Sequence, residues 1–222
     1  MARTSTGPAT SAPAAPRPLL RGALHGVTAL LVPFGLVLLL LLADSPRAYA
    51  GAAVFASSLM LLYATSASYH LVPWPPRLRR IMMRIDHSTI FVLIAGSYTP
   101  FCLVVVSDAW GIPMLSVVWA LAGCGIAMKM SWPDAPRWLS VSLYLGLGWL
   151  ALAAAPALVT SMAPGALAAL AFGGVLYSVG AVVYALRRPD PLPRVFGYHE
   201  VFHAFVIAGS AVHFALVAAY VL

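Results

Sequence analysis

Six side chains able to do metal or acid–base chemistry lie within strongly apolar stretches of this 222-residue chain: Ser66, His70, Asp86, His199, Glu200 and His203. Ionisable groups in hydrocarbon are costly, and where they occur they mark ion, proton or substrate sites. His199 and His203 stand at i and i+4, so on a helix they share a face, and Ser66 and His70 repeat that spacing. Three neutral imidazoles suit zinc, and three protein ligands plus a water is the pattern of a catalytic zinc site. The expected cofactor is therefore Zn2+, with His70, His199 and His203 as ligands. Asp86 is expected to accept a hydrogen bond from the metal's water and serve as general base. Ser66 is expected to contact substrate or support a ligand, so Asp86 and Ser66 are the expected catalytic residues.

The neighbouring polar residues fit less directly. His199-Glu-Val-Phe-His203 matches the H-E-x-x-H spacing of soluble zinc proteases. The next histidine, His213, lies at the wrong distance to extend that signature, and ten residues turn it away from the ligand face. Glu200 is expected instead to be an interfacial charge near Arg194, and His213 a packing or pathway residue deeper in the membrane. Asp86 and His87 are about 100° apart on a helix, so only one faces the site squarely, and Asp86 is the better choice. His25 is near the same membrane face without an assigned role. Cys102 and Cys124 lack partners at metal-ligand spacing and read as buried packing.

The elements that must position these groups are membrane helices. Hydrophobic residues make up 62% of the chain and charged residues 9%, against about 25% charged in soluble domains, and the mean hydropathy is +0.91. Seven apolar stretches, at about 22–43, 50–72, 84–106, 111–130, 137–159, 165–187 and 198–222, each approach the ~20 residues that cross a bilayer. They predict an all-α membrane protein with a seven-helix transmembrane domain over 22–222. Residues 1–21, rich in Ala, Pro, Ser and Thr, read as a disordered cytoplasmic tail. With the N-terminus in the cytoplasm and the C-terminus outside, twelve of the thirteen Lys and Arg fall on the inner side and Arg47 alone on the outer. That asymmetry is the positive-inside signature. It accounts for the net charge of +7 without nucleic acid, so membrane lipids are the expected partners and a multi-pass position in the cell membrane the expected location. No sequence feature indicates an oligomeric state. Pro33, Pro100 and Pro156 are expected to kink their spans, and Gly123 with Gly125, Gly146 with Gly148, and Gly173-Gly174 to permit close helix contact.

Three segments together resemble the bacterial hemolysin III family: Ser66-Ala-Ser-Tyr-His70; Asp86-His-Ser-Thr-Ile90 followed by Ile94-Ala-Gly-Ser-Tyr-Thr-Pro100; and His199-Glu-Val-Phe-His203 through Gly209 to His213-Phe214. That family belongs with the progestin and adipoQ receptors, which include the adiponectin receptors. The resemblance spans all seven helices. It implies zinc held by His70, His199 and His203, with Asp86 acting through water and Ser66 one turn before the first ligand. It also implies metal-dependent hydrolysis of a lipid amide or ester, since alkaline ceramidases share the superfamily. The short tail sets the chain apart from hormone receptors. Two further functions stay open at this point: a non-enzymatic membrane-homeostasis regulator or channel braced by structural zinc, and a haemolysin acting by cytolysis. An inner-membrane protein without export features is physically a poor toxin.

Overall fold

The computed structural model describes residues 18–222. Among them the fold is all-helical, with seven helical stretches long and apolar enough to cross a membrane. These are α1 (Ala23–Leu42), α2 (Pro46–Leu71), α3 (Pro76–Pro100), α4 (Asp108–Ser131), α5 (Arg137–Trp149) with α6 (Ala155–Ser161), α7 (Pro164–Leu186) and α8 (Tyr198–Tyr220). A π-helical turn, Phe101–Val105, extends α3, and a 3-10 stretch, Leu150–Ala154, joins α5 to α6 into one span. Helix starts follow local chemistry. Ser45 Oγ accepts the Ala48 N–H at 3.2 Å ahead of Pro46, and proline also opens α3 and α7, where its missing N–H costs nothing.

The interior prolines act by different means. Pro33 lies within α1. Pro100 closes the α-helical part of the third span, where the hydrogen bonding widens into the π turn. Pro156 opens α6 just after the 3-10 stretch. The third span also begins at Pro76 rather than near residue 84, because its opening residues, Pro76-Arg-Leu-Arg-Arg80, are helical but too polar to register as apolar sequence.

The main core joins α1, α2, α3, α7 and α8 around Phe55, Leu59, Tyr63, Leu93, Leu216 and Val217, and a second cluster joins α3, α4 and α5 around Phe91, Val118, Ala122 and Leu147. Helices in lipid associate by close packing rather than by burial from water. Gly51 shows this: a Cβ there would fall 2.8 Å from the Pro100 Cα. Gly125 meets Phe91 and Gly173 meets His213 in the same way, whereas Gly123, Gly146 and Gly148 face open space and mediate no close contact. Leu30, Leu31, Phe34, Leu41 and Leu186 point outward and are well exposed, as a lipid-facing surface requires.

Residues 1–17 of the expected tail lie outside the described residues. Pro18–Arg21, which composition assigns to the same tail, form a turn tied to the loop before α8, with Leu19 N–H donating to the Arg194 carbonyl (3.0 Å) and Leu20 N–H to that of Val195 (3.1 Å). Backbone pairing with a partner distant in sequence orders a stretch whose composition alone reads as coil.

Candidate functional site

Because the spans alternate in direction, the C-terminal end of α2 and the N-terminal ends of α1, α3 and α8 meet at one end of the bundle. They bring the polar residues of the sequence together there. His70, His199 and His203 place one ring nitrogen each within 4.8 Å of one another. The Nε2 atoms of His199 and His70 are 3.2 Å apart. His203 is buried, and His70 and His199 are partly so. This set could hold a metal ion.

Asp86 and Ser66 are buried beside the histidines, and Ser66 hydrogen-bonds in the direction of both His25 and Asp86. His25 is the residue that spacing alone misses. Its Nδ1 is 2.8 Å from Ser66 Oγ, and its ring stacks on His203 with centroids 3.6 Å apart and planes 6° from parallel. The signal is its place at the start of the first span, at the depth of the other polar residues, but nothing in the sequence tells which helix packs against α1.

Glu200 departs from expectation. It is fully buried, its Oε1 is 2.5 Å from Arg21 Nε, and its Oε2 accepts the Gly197 N–H at 2.8 Å, capping α8. Its partner is Arg21 rather than Arg194, and the ordered Pro18–Arg21 turn delivers it. Glu200 is also absent from the walls of the adjoining cavity, which takes it out of the role that H-E-x-x-H gives its glutamate.

That cavity measures about 880 Å³ and is walled by α3, α4, the α5–α6 span, α7 and α8. His25, Ser66, Asp86, His87, His199 and His203 border one region of it, and residues such as Ile94, Val106, Met114, Leu158 and Leu167 form apolar walls beyond. His87 faces the cavity alongside Asp86, and the Tyr144 hydroxyl donates to its backbone carbonyl at 2.9 Å. His213, buried further along the same cavity, packs on Tyr177 and has its Nε2 3.3 Å from the Leu170 carbonyl oxygen. Tyr63 and Tyr177 both bond Ser210 beside it, at 2.8 and 2.9 Å. Cys102 is buried, as expected, whereas Cys124 is exposed, because its side of α4 faces outward.

Comparison with known proteins agrees with this architecture. The family described as "Haemolysin-III related" matches residues 14–214. The chain is 36% identical to "Hemolysin-3 homolog" of Bacillus subtilis (strain 168) over 199 residues, covering 88% of this chain and 90% of that protein. It is 34% identical to "Hemolysin-3" of Bacillus cereus over 201 residues, 89% of each. It is also 28% identical to "Heptahelical transmembrane protein 5" of Arabidopsis thaliana over 188 residues, 75% of this chain but only 47% of that longer protein. No solved structure matches. Seven apolar helices with a histidine-lined polar end, matched over nearly the whole chain, mark a multi-pass membrane protein that belongs to the hemolysin III family.

Proposed function

We propose that this protein is a zinc-dependent hydrolase of a lipid amide or ester, with its site toward the cytoplasmic face. One observation carries the reading: Asp86, Ser66, His199 and His203 open together onto one lipid-sized cavity whose remaining walls are largely apolar. Among the described residues, every Lys and Arg except Arg47 falls at that end of the bundle by chain direction, which supports the cytoplasmic placement.

The donor set fits zinc. Two imidazole nitrogens facing each other at 3.2 Å need a proton or a cation between them. Tetrahedral bonds of ~2.05 Å place two ligating nitrogens about 3.3 Å apart. Zinc bound there supplies Lewis acidity and a water of lowered pKa. The chain does the rest. Apolar walls such as Ile94, Val106, Met114, Leu158 and Leu167 hold the acyl chain and exclude bulk water, and the histidine corner presents its polar groups to the scissile carbonyl. Asp86 takes the proton of the attacking water, a transfer of the kind that contributes about 10²–10⁴ in rate. Ser66, bonded to His25, holds its hydroxyl toward Asp86 and orients that carboxylate.

The test is metal content and lipid hydrolysis of the purified full chain, wild type against His203→Ala and Asp86→Ala. Zinc near one per chain is expected in wild type and Asp86→Ala and lost in His203→Ala, with hydrolysis lost in both variants. A folded, metal-free wild type overturns the reading. Full zinc with hydrolysis untouched by Asp86→Ala would leave the metal as a brace between helices.

A further inference from the structure

We infer that the cavity is built for a lipid with a phosphate-bearing headgroup, held by Lys129 and Arg137. This names the substrate class of the proposed hydrolase, and it rests on that reading only for the chemistry after binding. Lys129, in the last turn of α4, is 4% exposed and lines the cavity. Its ammonium donates to Ser140 Oγ, and Ser140 is itself buried on the cavity wall. A buried ammonium in a membrane helix demands an anion or strong compensation, and one hydroxyl dipole supplies little of either.

No protein carboxylate meets that demand. Among the described residues the ion pairs are Arg21–Glu200 and Arg47–Asp108. Of the carboxylates on the cavity wall, Asp134 is exposed at the rim and Asp86 belongs to the histidine corner. Neither is within ion-pair distance of Lys129. A second cation stands on the same wall. Arg137 opens α5 with its guanidinium 5.2 Å from the Tyr184 ring centroid, and Arg187, at the end of α7, also borders the cavity.

A point-charge ammonium, a forked guanidinium and a hydroxyl around one space match phosphate, whose oxygens accept several charge-assisted bonds at once. Their depth suits a headgroup, since Lys129 and Arg137 flank the loop between α4 and α5, where the chain leaves the membrane. Basic pockets between helices at that level bind anionic lipid headgroups. The cavity then continues to Val106, Leu158 and Val159, at the far end of the third and fifth spans. Free phosphate has no use for that apolar length, and an acyl chain fills it.

The experiment is native mass spectrometry of the metal-stripped full chain in detergent, titrated separately with dioctanoyl phosphatidic acid, dioctanoylglycerol and inorganic phosphate. Phosphatidic acid is expected to bind about tenfold or more tighter than the uncharged diglyceride. Lys129→Met and Arg137→Gln should each remove most of that difference, and Lys129→Arg should keep it. Should Lys129→Met fail to fold, Arg137→Gln, at a half-buried position, decides alone. Equal binding of the diglyceride, or phosphatidic acid bound equally well by both charge-removing variants, overturns the proposal. Inorganic phosphate that displaces phosphatidic acid at equal concentration overturns the lipid assignment. Because the titration uses metal-stripped protein, a wild type that carries no zinc or hydrolyses no lipid counts against the hydrolase and not against this pocket.

Discussion

The His25 imidazole lies flat against that of His203, with ring centroids 3.6 Å apart, while its Nδ1 holds Ser66 at 2.8 Å. One residue of α1 thus fixes the ring plane of a proposed metal ligand on α8 and the hydroxyl beside the proposed base. Groups that orient ligands without touching the metal are worth about 10–100-fold in metal affinity.

His25→Ala is therefore expected to weaken zinc binding by about tenfold or more, read by competition with a chromogenic chelator. His25→Phe preserves a flat ring against His203 and should recover most of that affinity, while still lacking the bond to Ser66 and so remaining slow in hydrolysis. Zinc affinity unchanged in His25→Ala would show that His203 is held by its own helix.

Arg21 and Glu200 form a pair in which the carboxylate side chain is 1% exposed and the arginine 20%. Removing one partner of a buried pair leaves an uncompensated charge, at a cost of about 3–5 kcal/mol. Arg21→Ala is expected at the low end of that range, because the arginine side chain is already partly exposed. The double variant Arg21→Ala/Glu200→Ala should be less destabilised than the two losses added together. Thermal unfolding in detergent measures all three. Zinc content of Glu200→Gln should match wild type, since Glu200 turns away from the cavity; a loss equal to that of His203→Ala would return it to the metal site.

What sequence can reveal here divides by range. The i, i+4 pairs Ser66/His70 and His199/His203 depend only on helix geometry, and the shared depth of the three elements depends only on counting along spans, so the corner is legible without coordinates. Lys129 is not: as one more inner-side cation it reads as topology, and only the packing of α4 against α5 buries it beside Ser140. Glu200 escapes for the same reason. Its partner arrives from the Pro18–Arg21 turn, held by bonds to Arg194 and Val195 that no local pattern encodes. His25 needs the packing of α1 against α8, which is likewise a property of the assembled bundle.

The packing of α2 on α3 gives a paired prediction. A Cβ at Gly51 meets the backbone of Pro100 at 2.8 Å, and backbone cannot swing aside as a side chain can; a Cβ at Gly123 meets nothing within 4 Å. Gly51→Ala should cost about 1–3 kcal/mol, the range for overpacking. Gly123→Ala should be neutral or slightly stabilising, since alanine favours helix. Detergent unfolding midpoints that move alike would mean the α2–α3 crossing yields.

Tyr98 argues for a built-in break in the cavity wall. Its hydroxyl lies between the Leu147 and Gly148 carbonyls (2.9 and 2.6 Å) and the Ala151 N–H, which donates to it at 2.8 Å. Leu147 and Ala151 are i and i+4, so the phenol occupies the place of a helical hydrogen bond where α5 gives way to the 3-10 stretch. A group inserted into the ladder is a recognised cause of a kink, and in lipid the freed backbone groups must find partners. Tyr98→Phe removes both the donor and the acceptor, leaving a buried carbonyl and N–H to re-pair or stay unmet, at about 1–3 kcal/mol. The expected outcome is lower stability and faster amide exchange over residues 147–151, measured by hydrogen–deuterium exchange. Unchanged exchange there would assign the break to Pro156, which lacks the N–H that would otherwise close the next turn.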